Sequence, residues 1–127
     1  MIGKPILVVD DEPIVRESIR DWLIDAGYKV ATAETGEEAL EMVQRQAFAI
    51  MIIDVRLPGK TGISVLKELK TLKTQIKSIV ITAYPSAGLS AEAKELGAVD
   101  YLIKPIVPDD LERLIRDTLL HFETQGG

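Results

Sequence analysis

The sequence predicts an α/β fold in which a five-stranded parallel sheet is covered by helices on both faces. Three observations carry this expectation. Short aliphatic and β-branched runs alternate five times with stretches of helical periodicity, the pattern of repeated βα units. The intervals between runs are long enough for right-handed crossovers. Four of the runs break off at the same end into a polar side chain, Asp10, Asp54, Thr82 or Lys104, and that end is where open α/β sheets place their sites.

Pro5 to Val9 reads as the first strand; it stops abruptly at Asp10-Asp11, as a strand buried on both faces stops on reaching water. Pro13 to Ala26 is the first helix. Ile14, Val15, Ile19, Trp22, Leu23 and Ala26 form its apolar stripe, with Pro13 suited to a first turn and Gly27 to a left-handed cap. Tyr28 to Ala33 is the second strand. Thr35 and Glu38 then form a capping box in which each satisfies the other's backbone donor, opening a helix from about Gly36 to Gln46. Phe48 to Ile53, the most apolar segment, is a central third strand ending at Asp54 and the Leu57-Pro58-Gly59 turn signal. A third helix follows over Gly62 to Leu72, a fourth strand over Ser78 to Ile81, and a short fourth helix from about Ser90 to Leu96, stopped by Gly97. Val99 to Ile103 is the fifth strand. Pro108 opens a last helix striped by Leu111, Leu114, Ile115, Thr118, Leu119 and Phe122. For five such strands the common order is 2-1-3-4-5, a doubly wound, flavodoxin-like three-layer arrangement with its crevice between strands one and three.

The chain has 127 residues, 46% of them hydrophobic, enough for one core without disulfides or structural metals. One domain is expected over residues 1–127, with its core from about Lys4 to Phe122 and a frayed tail from Glu123 to Gly127. The absence of cysteine excludes thiol catalysis and thiolate metal sites, and the single His121 cannot form a zinc cluster alone. The longest apolar run, Ala47 to Ile53, falls far short of the roughly 20 residues that span a bilayer, and no signal-peptide pattern opens the chain. A cytoplasmic location is expected. The formal net charge of −5 offers no general attraction for nucleic acid, so direct DNA binding by this domain is not expected.

Asp10, Asp11 and Asp54 would gather three carboxylates in one cleft, where they repel each other unless a positive charge lies between them. Mg²⁺ suits such a set, because it takes oxygen ligands and commonly binds one or two carboxylates together with a phosphate. Asp54 could then act as a nucleophile towards phosphorus. Lys104 would neutralise one phosphoryl oxygen and Thr82 would donate its hydroxyl to another. Each residue alone has a plainer explanation: the acids could cap a helix or shape a turn, the threonine could end a strand, and the lysine could reach solvent. Their joint occurrence at four strand ends, in this chain order, favours the chemical reading.

Val8-Val-Asp10-Asp11-Glu12-Pro13, Asp54-Val-Arg-Leu-Pro58-Gly59-Lys-Thr-Gly62, Ile81-Thr82-Ala83 and Tyr101-Leu-Ile-Lys104-Pro105 closely resemble the receiver domains of two-component response regulators, over about Lys4 to Phe122. The resemblance implies phosphorylation of Asp54 by a phosphohistidine on a histidine kinase or phosphotransfer protein. It implies direct Mg²⁺ ligation by Asp11, water-mediated ligation by Asp10, and a ligand from the Arg56 backbone carbonyl. It further implies that Thr82 moves towards the phosphoryl group, that Tyr101 turns inward, and that the surface of helix four, strand five and helix five carries the readout. A cis Lys104-Pro105 bond is also implied. Arg56 and Tyr84 flank the expected phosphoryl position, either tuning water access or facing solvent as bystanders. No output domain is legible, so a stand-alone relay and a receiver belonging to a larger regulator are both open, the latter with a phosphorylation-linked homodimer.

Three rival functions share part of this pattern. A nucleotide binder of the same fold would want a glycine-rich phosphate cradle where Asp10-Asp11-Glu12 stands. An aspartate phosphatase with Asp10 as nucleophile would want a second aspartate at Glu12. A receiver-like module that binds partners without phosphorylation would be expected to lack part of the acid and lysine set.

Overall fold

A computed structural model describes residues 4–126, with side chains described for residues 4–121. Ten elements alternate along the chain: β1 (Ile6–Val9), α1 (Pro13–Asp25), β2 (Val30–Ala33), α2 (Gly36–Arg45), β3 (Ile50–Asp54), α3 (Gly62–Leu72), β4 (Lys77–Thr82), α4 (Ala87–Glu95), β5 (Asp100–Ile103) and α5 (Pro108–Gly126). The strands are parallel, in the order β2-β1-β3-β4-β5. This is the order expected from the sequence. Among the described residues no helix is long and apolar enough to cross a membrane.

The period-two alternation of the strands divides the core into two layers. Leu7, Val9, Met51, Ile53 and Val80 face Leu40 of α2, Val65 and Leu69 of α3 and Ala93 of α4. Ile6, Val8, Ile50, Ile52, Ile79 and Ile81 face Ile19 and Leu23 of α1 and Leu111 and Ile115 of α5. The strands β1 and β3 are buried along their whole length, which explains why they read as continuous apolar runs rather than alternating ones. Each such side chain contributes about 1.5–3 kcal/mol through its burial. The edge strand β5 is much more exposed.

Several boundaries differ from the sequence expectation. β3 begins at Ile50 rather than Phe48 and takes in Asp54; Phe48 and Ala49 are buried, but they enter the sheet ahead of the ladder. β4 gains Lys77 and Thr82. β2 and β5 start later than Tyr28 and Val99, and α1 and α2 end one residue early, with Ala26 and Gln46 as caps. The largest difference is α4, which starts at Ala87 instead of Ser90. Its N-cap is Ser86, whose Oγ accepts the Leu89 N–H at 3.1 Å. Only Ala93 of this helix is buried, so the apolar stripe was too sparse to mark the first turn.

In α1 the expected stripe is also altered. Ile14 is 83% exposed, whereas Arg16 is buried beside Ile19 and Leu23. The sequence predicts a frayed tail over Glu123 to Gly127; the backbone of α5 is helical as far as Gly126, while Gly127 and the side chains from Phe122 onward lie outside the described residues. Gly27 has φ +97°, the left-handed conformation expected of it after α1.

At the start of α2, Thr35 Oγ1 accepts the Glu38 N–H at 3.1 Å, as the capping box requires. The Glu38 carboxylate returns to the N–H of Glu34 at 2.9 Å, one residue before the cap, where β2 has just ended. Thr35→Ala is expected to lower unfolding stability by about 1 kcal/mol, read by urea denaturation. Thr35→Ser should retain most of that stability, and an equal loss in both variants would exclude the cap as its source.

Candidate functional site

The ladder register sets the site. Val9 lies opposite Ile53, Asp54 opposite Ile81, and Thr82 opposite Ile103. The residues that follow or end these strands therefore emerge at one level on the C-terminal edge of the sheet. Asp10, Asp54 and Thr82 are all buried there, and Lys104 bends in from the end of β5. The Lys104-Pro105 peptide is cis, as the resemblance implied.

One local device recurs at three strand ends. Asp10 Oδ1 accepts the N–H of Glu12 at 2.9 Å, Asp54 Oδ1 accepts that of Arg56 at 2.9 Å, and Thr82 Oγ1 accepts that of Tyr84 at 3.0 Å. Each is a side-chain turn to the backbone two residues on, for which aspartate and threonine are suited. In the two aspartates it leaves Oδ2 for the cleft. Lys104 Nζ sits among these oxygens, 2.6 Å from Asp54 Oδ2, 2.8 Å from Glu12 Oε1 and 3.0 Å from Asp10 Oδ2. The last of these is an ion pair without hydrogen-bond alignment, so the buried Asp10 Oδ2 accepts no hydrogen bond.

Burial raises the pKa of the Asp10 carboxyl; the Glu12 N–H and the Lys104 ammonium work against this, and the neighbouring Asp54 charge adds to it. Burial would by itself lower the pKa of Lys104, but its hydrogen bonds to Asp54 and Glu12 and the adjacent Asp10 carboxylate outweigh that and hold the ammonium above its ordinary value. Lys104 is therefore a cation throughout the physiological range. The native state binds the Asp10 proton more tightly than the unfolded chain does, so this group's contribution to stability is present at low pH and is lost as pH rises through its folded pKa. Asp10→Asn should consequently unfold at a higher temperature than wild type at neutral pH in chelator, with the gap narrowing as pH falls through the carboxylate range. Thermal denaturation against pH checks this; a gap that is constant with pH would show that the Asp10 charge is not its cause.

Among the described residues, Asp10, Glu12 and Asp54 form a group whose ligand oxygens lie within 4.8 Å of one another. Hard oxygen donors, an excess of negative charge and an orphaned buried oxygen fit a divalent cation, so this group could hold a metal ion. The sequence had pointed to Asp11 in place of Glu12. Asp11 is exposed and outside this group, while Glu12, the N-cap residue of α1, makes no side-chain cap bond and turns its carboxylate to Lys104. The sequence pattern by itself does not mark Glu12 as a member of the carboxylate cluster. Arg16 carries no motif of its own in the sequence; the one signal for its burial is its position three and seven residues before Ile19 and Leu23, on the same helix face.

The remaining expected residues lie nearby but make fewer contacts with the cluster. Arg56 is exposed, its backbone N–H holds Asp54, and its guanidinium lies over the Tyr84 ring at 4.2 Å from the centroid. Tyr101 is half-buried on β5, packed against the layer that contains α3 and α4. The β3–α3 loop folds back so closely that Gly62 donates its N–H to the Val55 carbonyl at 2.9 Å.

The family model for the response regulator receiver domain matches residues 6–116. The chain belongs to this family. The receiver domain is 42% identical over 120 residues to the transcriptional regulatory protein ZraR of Escherichia coli K12, covering 91% of this chain and 26% of that protein. To the alginate biosynthesis transcriptional regulatory protein AlgB of Pseudomonas aeruginosa it is 38% identical over 106 residues, covering 84% of this chain and 24% of that protein. The receiver domain thus spans about a quarter of the length of the curated relatives it matches. A CheY-like receiver domain from Methanospirillum hungatei superposes with a TM-score of 0.92 at 32% identity, covering 96% of this chain and 98% of that one. The chemotaxis protein CheY4 of Vibrio cholerae gives 0.85 at 32% identity, over 91% and 98%.

Proposed function

We propose that this receiver domain is a signalling switch that accepts a phosphoryl group on Asp54 in a Mg²⁺-dependent reaction. The observation that carries the reading is the buried Asp54 carboxylate, held by Lys104 Nζ at 2.6 Å within a group of three carboxylates. An Asp54 oxygen forms the new bond to phosphorus as the bond from phosphorus to the donor breaks, returning imidazole from a phosphohistidine or acetate from acetyl phosphate. The Arg56 N–H orients the carboxylate through Oδ1. Lys104 supplies a fixed positive charge to the developing phosphoryl anion, and the Thr82 hydroxyl, at the same edge, donates to a second oxygen. Mg²⁺ would be held by Asp10, Asp11, Asp54 and the Arg56 carbonyl, with Glu12 as a further candidate ligand. When bound it neutralises phosphoryl oxygens.

The donor is a histidine kinase or phosphotransfer protein of the cytoplasm. Phosphorylation adds about −1.5 to −2 charges at the sheet edge, and the response passes through Thr82 and Tyr101 to the face formed by α4, β5 and α5. Ile103 and Val107 stand exposed there at 52% and 53%, apolar surface suited to a protein partner. The description of ZraR and AlgB as transcriptional regulatory proteins supports a transcriptional output. This domain itself would make no direct nucleic-acid contact, in keeping with its formal net charge of −5, and would pair with a second copy on phosphorylation.

Intact mass after incubation with acetyl phosphate tests the reading. The expected result is a gain of one phosphoryl group that requires Mg²⁺ and is lost to hydroxylamine. No gain under any condition would favour a receiver-like module that binds partners without phosphorylation.

A further inference from the structure

Arg16 is a buried cation that the proposed phosphoryl chemistry does not use. It projects from the first turns of α1 onto the face that carries Ile19 and Leu23, and only 9% of the residue is exposed. Burying a guanidinium is costly unless its donors are satisfied. Arg16 Nη1 donates to the Asp10 backbone carbonyl at 2.8 Å, and Nη2 lies 3.5 Å from Glu34 Oε1. Asp10 follows the last ladder residue of β1, and its N–H still bonds to the Ala33 carbonyl at 3.2 Å. Arg16 thus supplies the donor to the Asp10 carbonyl where the strand ends.

The consequence concerns the peptide plane between Asp10 and Asp11. The Asp10 carbonyl, which lies in this plane, is held by Arg16, and the preceding peptide plane is held through the Asp10 N–H to the Ala33 carbonyl, so the plane between Asp10 and Asp11 cannot rotate freely. Its orientation determines where Asp11 projects and how the Glu12 N–H meets Asp10 Oδ1, a bond of 2.9 Å. Glu34 in turn is anchored through its own N–H to the Glu38 carboxylate at 2.9 Å. A continuous set of polar contacts therefore runs from the cap of α2 through Glu34 and Arg16 to the backbone of the acid cluster.

We propose that Arg16 is a positioning residue for the cation site: by fixing the peptide between Asp10 and Asp11 it sets the carboxylates in the arrangement that binds Mg²⁺. The inference rests on the reading that the acid cluster holds this cation. Outer contacts that orient metal ligands are worth about 10–100-fold in affinity when removed. Electrostatics alone predicts the opposite sign, since a nearby guanidinium repels a divalent cation and its removal would tighten binding. The two roles are therefore separable in one measurement.

Mg²⁺ titration calorimetry on wild type, Arg16→Met and Arg16→Lys, with thermal unfolding of each, provides the test. Arg16→Met is expected to remain folded and to bind Mg²⁺ about tenfold or more weakly. Arg16→Lys keeps the charge but cannot span Asp10 and Glu34 with a planar fork, and should fall between the two. Unchanged or tighter binding by folded Arg16→Met overturns the proposal, as does Arg16→Lys binding no better than Arg16→Met. Should Arg16→Met fail to fold, Arg16→Gln, neutral and too short to span both partners, takes its place with the same expected and overturning results. If wild type itself binds no Mg²⁺, the reading of the acid cluster falls and the role of Arg16 falls with it. A wild type that binds beside an equally tight Arg16→Met removes only the latter.

Discussion

Asp54→Asn should abolish labelling by acetyl phosphate, leaving the intact mass at background under conditions in which wild type gains a full phosphoryl group. The substitution conserves volume, and the amide oxygen can still accept the Arg56 N–H that Asp54 Oδ1 accepts at 2.9 Å. What it removes is the anionic oxygen that attacks phosphorus and the ion pair with Lys104 at 2.6 Å. A neutral carboxamide is a poor nucleophile for this chemistry, so the effect should appear in labelling and not in folding. Circular dichroism and thermal unfolding should confirm a native variant. Labelling of Asp54→Asn at the wild-type level would place the acceptor elsewhere. Lys104→Ala provides the contrast: the nucleophile remains, so some labelling should persist, but the charge that couples the phosphoryl group to β5 is gone and the conformational response should weaken.

Gly62→Ala is the second large effect, and its direction opposes ordinary helix propensity. Gly62 is the first residue of α3, where exchange of glycine for alanine would normally help by up to about 1 kcal/mol. Here a Cβ would stand 2.5 Å from the Asp54 carbonyl oxygen and 2.8 Å from Val55 Cα. Both are backbone atoms of the β3 terminus and cannot swing aside as a flexible side chain would. Relief requires moving either α3 or the strand end that carries the proposed acceptor, at a cost of about 1–3 kcal/mol or more. Urea denaturation should show this destabilisation, accompanied by slower acetyl phosphate labelling because Asp54 is displaced. Gly88→Ala in α4 is the internal control: nothing lies within 4 Å of the new Cβ, and a gain of about 0.4–1 kcal/mol is expected. If the two substitutions had the same sign, close approach at Gly62 would not be the operative constraint.

These variants probe features that differ in how far they could be read from the chain. Gly62 was visible as part of a family-like motif, but the atoms it must avoid belong to a strand end eight residues earlier, and their distance depends on the fold of the intervening loop. The start of α4 escaped detection for a related reason. Ser86 is a good cap, but a helix with a single buried residue gives little periodicity to extend back to it. The existence and order of the well-buried segments are legible, because β1, β3, β4, α1 and α5 carry their pattern in neighbouring residues, whereas the ends of β3 and β4 and the stripe of α1 differ from that pattern.

The alternation of strands and helices, the two-layered core and the placing of Asp10, Asp54, Thr82 and Lys104 on one edge were determined by the sequence itself. Periodicity and strand-end polarity are local properties, and parallel connections admit few topologies. Only the tertiary structure decided which acids share Lys104. That choice depends on the ladder register, on the turn of each side chain towards its own backbone, and on the reach of Glu12, and it brings Asp10, Glu12 and Asp54 within 4.8 Å while leaving Asp11 outside the group. It also decided that Arg16 is buried and Ile14 exposed. A charged side chain can occupy an apolar helix face only where its donors find partners, and the partners of Arg16, the Asp10 carbonyl and the Glu34 carboxylate, lie at the ends of two different strands.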